Sequence, residues 1–184
     1  MARLIYSATA SLDGYINDPQ RGFDFTAPNA EVHAFVNERE RAIGSYLLGR
    51  RVYEVMTYWD SAPVDELSPA EAEYARVWKQ IDKIVYSRTL DAVSADRTRL
   101  ERQFDPATVR ALKTETSRDL SIGAADLAGQ ALAAGLVDLL QVYIVPFVVG
   151  GGTRLLPEGL QLELELVDEQ RFTNGTVYLL YAVN

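Results

Sequence analysis

The sequence predicts an α/β fold: a mostly parallel central β-sheet with helices on both faces and an antiparallel β-hairpin at the C-terminus. Short apolar segments alternate with segments of helical spacing along most of the chain, and this alternation is typical of a parallel sheet. Near the C-terminus, Asn174-Gly175 separates two strand-like segments, a hairpin signal that would add antiparallel strands at one edge. No repeat, linker or low-complexity tract interrupts the 184 residues, so we expect one domain over residues 1–184.

The strands are predicted where short runs of apolar, β-branched or aromatic residues end at glycine or at polar residues. In the segment that begins at residue 161, Leu162, Leu164 and Leu166 alternate with polar residues and would face one side of the sheet. The predicted strands are Leu4–Thr9, Ser45–Leu48, Lys83–Ser87, Leu120–Gly123, Leu139–Val149, Gln161–Val167 and Val177–Val183.

The helices are predicted from apolar residues at helical spacing and from capping residues. Asn29 is a suitable N-cap for the first helix, and Ser68-Pro69-Ala70-Glu71 has the pattern of a capping box with proline in the first turn. The predicted helices are Ala30–Ile43, Arg51–Tyr58, Ser68–Trp78, Pro106–Thr114 and Ala124–Ala134.

Composition excludes several classes of function. The formal net charge of −8 disfavours nucleic acid as a partner, because phosphate backbones bind basic surfaces. The chain has no cysteine and a single histidine, His33, which excludes disulfides, thiolate catalysis, zinc–thiolate sites and multi-histidine sites, so we expect no metal. A small anionic cofactor is compatible with this charge, since it needs only a local pocket of arginines and backbone N–H groups.

We expect a cytoplasmic protein with no membrane partner. The first residues have the pattern of a strand and lack the apolar run of a signal peptide. The most apolar stretch, Gly135–Gly152, is interrupted by Asp138, Gln141 and Pro146, as in a buried strand and not in a membrane span.

Three predicted strand ends carry residues suited to an anionic ligand, and in open α/β sheets ligands bind outside the carboxyl ends of strands. At the first, Gly49 would let the backbone turn sharply, and Arg50 and Arg51 would lie at the start of a helix, where free N–H groups favour phosphate. A solvated arginine pair in a loop is the simpler interpretation of this motif alone. Arginine at a helix start is unfavourable for the helix dipole, which favours a neutralising anion.

The second strand end carries Ser87, Arg88 and Thr89. Hydroxyl, guanidinium and hydroxyl groups in succession could bind a ribose 2′-phosphate and so select NADP over NAD. The same composition is ordinary for a turn after a strand.

The third strand end is a run of small residues that leads into a helix. Small side chains allow a pyrophosphate to approach the helix N-terminus, and a tight turn packed on the sheet explains the run equally well. The G-x-G-x-x-G spacing of a Rossmann fingerprint is missing. The residues are Gly123, Ala124, Ala125, Asp126 and Leu127. Together, the three strand ends should line one rim of the sheet.

Several motifs, in their order along the chain, resemble the dihydrofolate-reductase-like superfamily. The similarity is greatest to the reductase domain of bifunctional riboflavin-biosynthesis deaminase/reductases and to its free-standing relatives, and it covers nearly the whole chain. The motifs are Ala10–Gly14, Glu31–Phe35, Leu48–Glu54, Ser87–Arg88, Gly123–Pro146 and the loop Gly150–Gly152.

The resemblance implies a three-layer dihydrofolate-reductase-like fold with NADPH as cofactor. The three strand ends would then bind the adenosine phosphate and the pyrophosphate. The nicotinamide would lie near Thr9 and Ile16, beneath a covering loop, Leu12–Gly22. The substrate would be a pterin- or aminopyrimidine-type heterocycle between the nicotinamide and the first helix, reduced by hydride from the cofactor.

For catalysis, the resemblance implies that Glu31, four residues before Phe35, hydrogen-bonds the ring and assists its protonation. Asp13 is a second acid for the pocket, and Ala8, Phe35 and Trp59 would contact the substrate. Structural interpretations stand beside these. Glu31 also fits as a first-turn helix acid, Asp13 as part of an Asp-Gly turn, and Trp59 as a core residue.

Two departures from the family pattern limit what the resemblance implies. The Gly-Ala-Ala segment carries methyl groups where relatives often have glycine or serine, and the zinc signature of a deaminase is missing. Only Arg21 and Arg154, by loop position, could hold a substrate phosphate.

The alternative function is an NADP(H)-binding module without turnover. We also expect a homodimer that uses Val142–Val149 and the terminal strands.

Overall fold

The computed structural model describes all residues, 1–184. It contains eight strands: β1 Leu4–Ser11, β2 Ile43–Gly49, β3 Asp82–Tyr86, β4 Thr98–Glu101, β5 Asp119–Gly123, β6 Leu139–Val145, β7 Leu164–Arg171 and β8 Val177–Val183. The α-helices are α1 Ala30–Glu40, α2 Arg50–Met56, α3 Tyr58–Ser61, α4 Pro69–Gln80, α5 Pro106–Glu115 and α6 Ala125–Ala133. Two 3-10 helices span Asp24–Thr26 and Val64–Glu66.

All eight strands form one sheet in the order β4-β3-β2-β5-β1-β6-β8-β7. The pairs from β4 to β6 are parallel, whereas β8 runs antiparallel to both β6 and β7. The predicted fold class, a mostly parallel sheet with a C-terminal antiparallel hairpin, is therefore confirmed. β4 was not predicted, because its four residues, Thr98–Glu101, sit at an edge and alternate too briefly to give a strand pattern.

Several predicted boundaries differ from the structure, and three of these differences have a local cause. α1 ends at Glu40 and not at Ile43. Ile43 is instead the first residue of β2, where its side chain is buried in the core. β6 ends at Val145 because Pro146 has no N–H for the ladder. β7 begins at Leu164 and is the edge strand, and a bulge follows Leu166, as is common at sheet edges.

Helices cover both faces of the sheet, since successive strand side chains point to opposite sides. Leu4 and Tyr6 belong to one buried cluster, together with side chains of α5 and α6 such as Val109 and Leu127. Ile5 belongs to the cluster on the other face, which contains Tyr74 and Trp78 of α4. The three layers predicted from the resemblance are present. No helix in the chain is both long and apolar enough to cross a membrane.

A buried carboxyl lies at the end of α1. Glu40 is 7% exposed, and its Oε2 accepts a hydrogen bond from the Tyr46 hydroxyl at 2.7 Å. Burial raises the pKa of Glu40 to about 7, although the Tyr46 hydrogen bond acts in the opposite direction. The folded protein therefore keeps the Glu40 proton at pH values where the unfolded chain, with an ordinary value of 4.5, has lost it.

Glu40→Gln should flatten the pH dependence of stability. In the wild type, the free energy of unfolding falls as pH rises from about 4.5 to about 7 and then levels off, because folding must bury a charged carboxylate. Between pH 4 and pH 8 the variant should gain about 2 to 3 kcal/mol relative to the wild type. Urea unfolding at both pH values measures this, and parallel pH profiles for the two proteins would contradict it.

Candidate cofactor and substrate site

The carboxyl ends of β2, β3 and β5 open onto one cleft of about 510 Å³. These strands are neighbours in the sheet, so their ends lie side by side at one edge. The cleft is lined from the first strand end by Gly49, Arg50 and Arg51, from the second by Ser87 and Arg88, and from the third by Ala124, Asp126 and Leu127. The structure thus brings residues of all three predicted strand ends together. Of the predicted residues, Thr89, Gly123 and Ala125 do not line the cleft, and Ala125 is buried against the core.

The cleft is strongly basic for a protein of net charge −8. Four arginines line it, against one carboxylate, Asp126. Arg50 is 3.7 Å from Glu54, whereas Arg51 and Arg88 are exposed and form no ion pair. The fourth, Arg102, was missed by sequence reasoning, because it follows β4, the strand without a sequence signal.

Ser87 organises the turn at the second strand end. Its Oγ accepts hydrogen bonds from the backbone N–H groups of Thr89 and Leu90, at 3.2 and 3.0 Å. These two bonds use the hydroxyl oxygen as an acceptor, so its own proton remains available to a ligand. The Thr89 N–H group is bonded within the turn, so Thr89 could contact a ligand only through its side chain.

At the third strand end, Ala124 holds a backbone conformation that normally requires glycine. Its φ of 94° is costly for a residue with a Cβ. Ala124 is the N-cap of α6 and makes no side-chain capping bond, which leaves the first N–H groups of that helix free for an anion. Opposite it, a Cβ added at Gly49 would lie 2.9 Å from the Ala124 Cβ, so Gly49 is required for close approach.

Gly49→Ala and Ala124→Gly should therefore compensate each other. Alone, Gly49→Ala should destabilise the protein by about 1 to 2 kcal/mol, because two Cβ atoms would clash. Ala124→Gly removes that clash and also relieves the positive φ, so the double variant should recover at least half of the loss. Urea denaturation of the four proteins measures this coupling; strictly additive effects would show that the two residues are energetically independent.

The carboxyl half of β1 is only half-buried although it lies inside the sheet, at Ser7, Ala8 and Thr9. Thr9 pairs in register with Tyr143, whose side chain packs with Val32 of α1, so Thr9 faces α1. Ala8 faces the other way and packs on the α6 side. The prediction that Ala8 contacts a substrate beside α1 is therefore not supported for its side chain, because strand side chains alternate.

The predicted covering loop, Leu12–Gly22, is tied to the segment that follows β6. The Asp13 carboxylate accepts hydrogen bonds from the N–H groups of Val149 and Gly150, at 3.2 and 2.8 Å. The Ser11 hydroxyl is the main cause that holds the pKa of Asp13 below its usual value, and those N–H groups add to the effect. Ile16 donates its N–H to Thr153 O at 2.9 Å and packs on the α6 side. Asp13 thus joins two loops.

Glu31 lies in the first turn of α1 and faces the β7–β8 turn. Its Oε2 accepts hydrogen bonds from the N–H group of Thr173, at 3.0 Å, and from the Thr173 hydroxyl. These bonds lower the pKa of Glu31, the hydroxyl contributing most. Glu31 is therefore an exposed carboxylate at neutral pH, an acceptor and not a proton donor.

The two aromatic residues predicted to contact substrate lie in different clusters. Phe35 packs edge-to-face on Phe172 and Tyr178, with ring centroids 5.2 and 4.8 Å away. Trp59 of α3 packs on Tyr74 of α4 and on His33 of α1, at 5.0 and 6.0 Å. Both residues are partly buried, and Trp59 has the core role that the sequence also allowed.

The RibD C-terminal domain family matches residues 2–178, nearly the whole chain. The chain belongs to this family. The resemblance drawn from the sequence motifs is thereby confirmed. No functionally curated protein matches the sequence.

Solved structures share the fold at low sequence identity. A candidate riboflavin biosynthesis protein from Shewanella sp. PV-4 is 20% identical, with a TM-score of 0.77, and the match covers 100% of this chain and 99% of that one. Dihydrofolate reductase from Enterococcus faecalis, solved with NADP(H), is 15% identical with a TM-score of 0.62, over 99% and 96% of the two chains. A deaminase/reductase from Thermotoga maritima is 12% identical with a TM-score of 0.65; the chain is covered completely but spans only 57% of that protein.

Proposed function

We propose that this protein is an NADPH-dependent reductase that transfers a hydride to a pterin- or aminopyrimidine-type ring. The observation that carries the proposal is the basic cleft at the carboxyl ends of β2, β3 and β5. An acidic protein that gathers four arginines in one cleft has a local field suited to an anionic cofactor. Family membership supports the same reaction class.

The residues of the cleft fit the phosphates of NADPH. Arg51 and Arg88 are free cations, and the Ser87 hydroxyl is a free donor, so this end suits the adenosine phosphate. The N-terminus of α6, beside Ala124, suits the pyrophosphate. The nicotinamide would then reach the half-buried end of β1 near Thr9, where the cofactor supplies the hydride.

Glu31 is suited to orient the ring. Thr173 bonds only one of its carboxylate oxygens, Oε2, which leaves Oε1 free to accept an N–H group of a heterocycle. Because the pKa of Glu31 is lowered, we assign it recognition and orientation, with the proton supplied from water. This revises the expectation that Glu31 itself assists protonation.

The protein should bind NADPH at least about tenfold more tightly than NADH, because charge-assisted bonds to the 2′-phosphate are present only with NADPH. Arg51→Gln should weaken NADPH binding about tenfold and change NADH binding less than twofold. Fluorescence titration measures both constants. Arg76→Gln, on exposed α4 surface, is the matched control. Equal binding of the two nucleotides would refute the assignment.

An NADP(H)-binding module without turnover is the alternative, and Glu31→Gln separates it from a reductase. Because Glu31 orients the ring, the variant should lower kcat for NADPH oxidation about a hundredfold while leaving NADPH binding within twofold. The probes are dihydrofolate and 5-amino-6-(5-phosphoribosylamino)uracil, and Glu38→Gln on the same helix is the control. NADPH binding without oxidation by wild type with either probe would favour the binding module.

We further propose a homodimer whose interface keeps the terminal strands of the prediction and leaves out β6. β6 lies between β1 and β8 inside the sheet, so Val142–Val145 cannot form an interface edge. β7 is a free edge and exposes Leu164, Leu166 and Val167, the kind of edge that pairs with a second chain. Light scattering should give twice the chain mass, and the mass of one chain would refute the dimer.

A further inference from the structure

Arg102 does not point freely into the cleft like Arg51 and Arg88. Its Nη1 donates hydrogen bonds to the backbone carbonyls of Ser87, at 3.3 Å, and Leu90, at 2.6 Å. It follows β4, which pairs with β3, so it reaches the second strand end from the neighbouring strand.

These bonds close a turn that is already fixed from inside. The Ser87 Oγ accepts the N–H groups of Thr89 and Leu90, and the Ser87 N–H donates to Glu101 O at 2.9 Å. In the segment Ser87–Leu90, the first and the last residue therefore each have both the backbone N–H group and the backbone carbonyl hydrogen-bonded. We call this four-residue segment with the Arg102 guanidinium the clamped turn.

The clamped turn presents one unpaired cation, Arg88, to the cleft. Arg88 lies between Ser87 and Leu90, the two residues whose carbonyls Arg102 bonds. Its side chain is exposed and has no carboxylate partner. Because the backbone on both sides of Arg88 is already fixed, ligand binding does not have to order this turn, and the entropy cost of binding is smaller. The same turn aims the Ser87 hydroxyl, whose proton is free.

We propose that Arg102 is a positioning residue that sets the preference for the phosphorylated ribose of NADPH by holding the clamped turn, through which Arg88 and Ser87 act. The inference rests on the proposed function and adds a residue for cofactor specificity that does not itself pair with the phosphate. Without Arg102, two carbonyls lose their donor and the turn gains freedom. Affinity for the 2′-phosphate falls, while binding of the rest of the nucleotide stays nearly unchanged.

The test measures dissociation constants for NADPH, NADH and 2′,5′-ADP with Arg102→Met, Arg88→Gln and the double variant. Each single variant should weaken NADPH and 2′,5′-ADP about tenfold and NADH less than twofold. The double variant should weaken NADPH by much less than the product of the two single losses, because Arg102 acts through the turn that carries Arg88. Arg102→Lys, which can still donate to both carbonyls, should restore binding to within about threefold of the wild type.

Arg99→Met is the matched control, since Arg99 is an exposed arginine on β4, the strand that Arg102 follows, and pairs with Glu101 at 3.3 Å. It removes the same charge and should leave NADPH selectivity unchanged. Additive losses for Arg88→Gln and Arg102→Met would overturn the inference and make Arg102 a direct phosphate ligand. Equal weakening of NADPH and NADH together with a lowered Tm would reduce Arg102 to a purely structural role. Wild-type protein that binds neither nucleotide would instead refute the proposed function itself.

Discussion

The parallel pairing of β2 with both β3 and β5 is the constraint on which the site depends. The register aligns Gly49 with Tyr86 and Leu48 with Gly123, so three strands end within one residue of each other. Each strand then leads directly into a turn or a helix, and these connections form one continuous wall. A shift in either register would separate the arginines from the N-terminus of α6 and disperse the positive charge that the cleft concentrates.

The same edge is completed on its other side by side-chain oxygens of two carboxylates and one amide, which connect loops. Asp13 holds the segment after β6, Asn17 Oδ1 accepts the N–H of Thr153 at 2.8 Å, and Glu31 holds the β7–β8 turn through Thr173. The edge therefore has a basic half and a half in which Glu31 Oε1 remains free to accept a hydrogen bond. This division suits a cofactor that carries several phosphates beside a ring that carries N–H groups.

Much of the fold and part of the site could be predicted from the sequence, because they depend on local patterns. Asn29 and Ser68 cap α1 and α4 as expected, and the three strand ends meet in one cleft. Long-range contacts could not be predicted. Arg102 follows β4, a strand too short to recognise from its sequence, and the partner of Glu31, Thr173, is 142 residues away in sequence.

Two further features depend on backbone geometry that composition does not reveal. The Gly-Ala-Ala segment gives no sign that Ala124 takes a positive φ or that Gly49 lies against it. The side that Ala8 faces depends on the register with β6, which a shift of one residue would reverse. Such features become visible only when strand pairing is known.

A crystal structure of the protein with NADPH would decide whether the basic cleft is the cofactor site. We expect the 2′-phosphate within hydrogen-bond distance of the Ser87 hydroxyl and the Arg88 guanidinium, with Arg102 still bonded to the carbonyls of Ser87 and Leu90. The pyrophosphate should lie at the N-terminus of α6. NADPH with its phosphates bound outside the cleft formed by β2, β3 and β5 would show that the cleft is not the cofactor site.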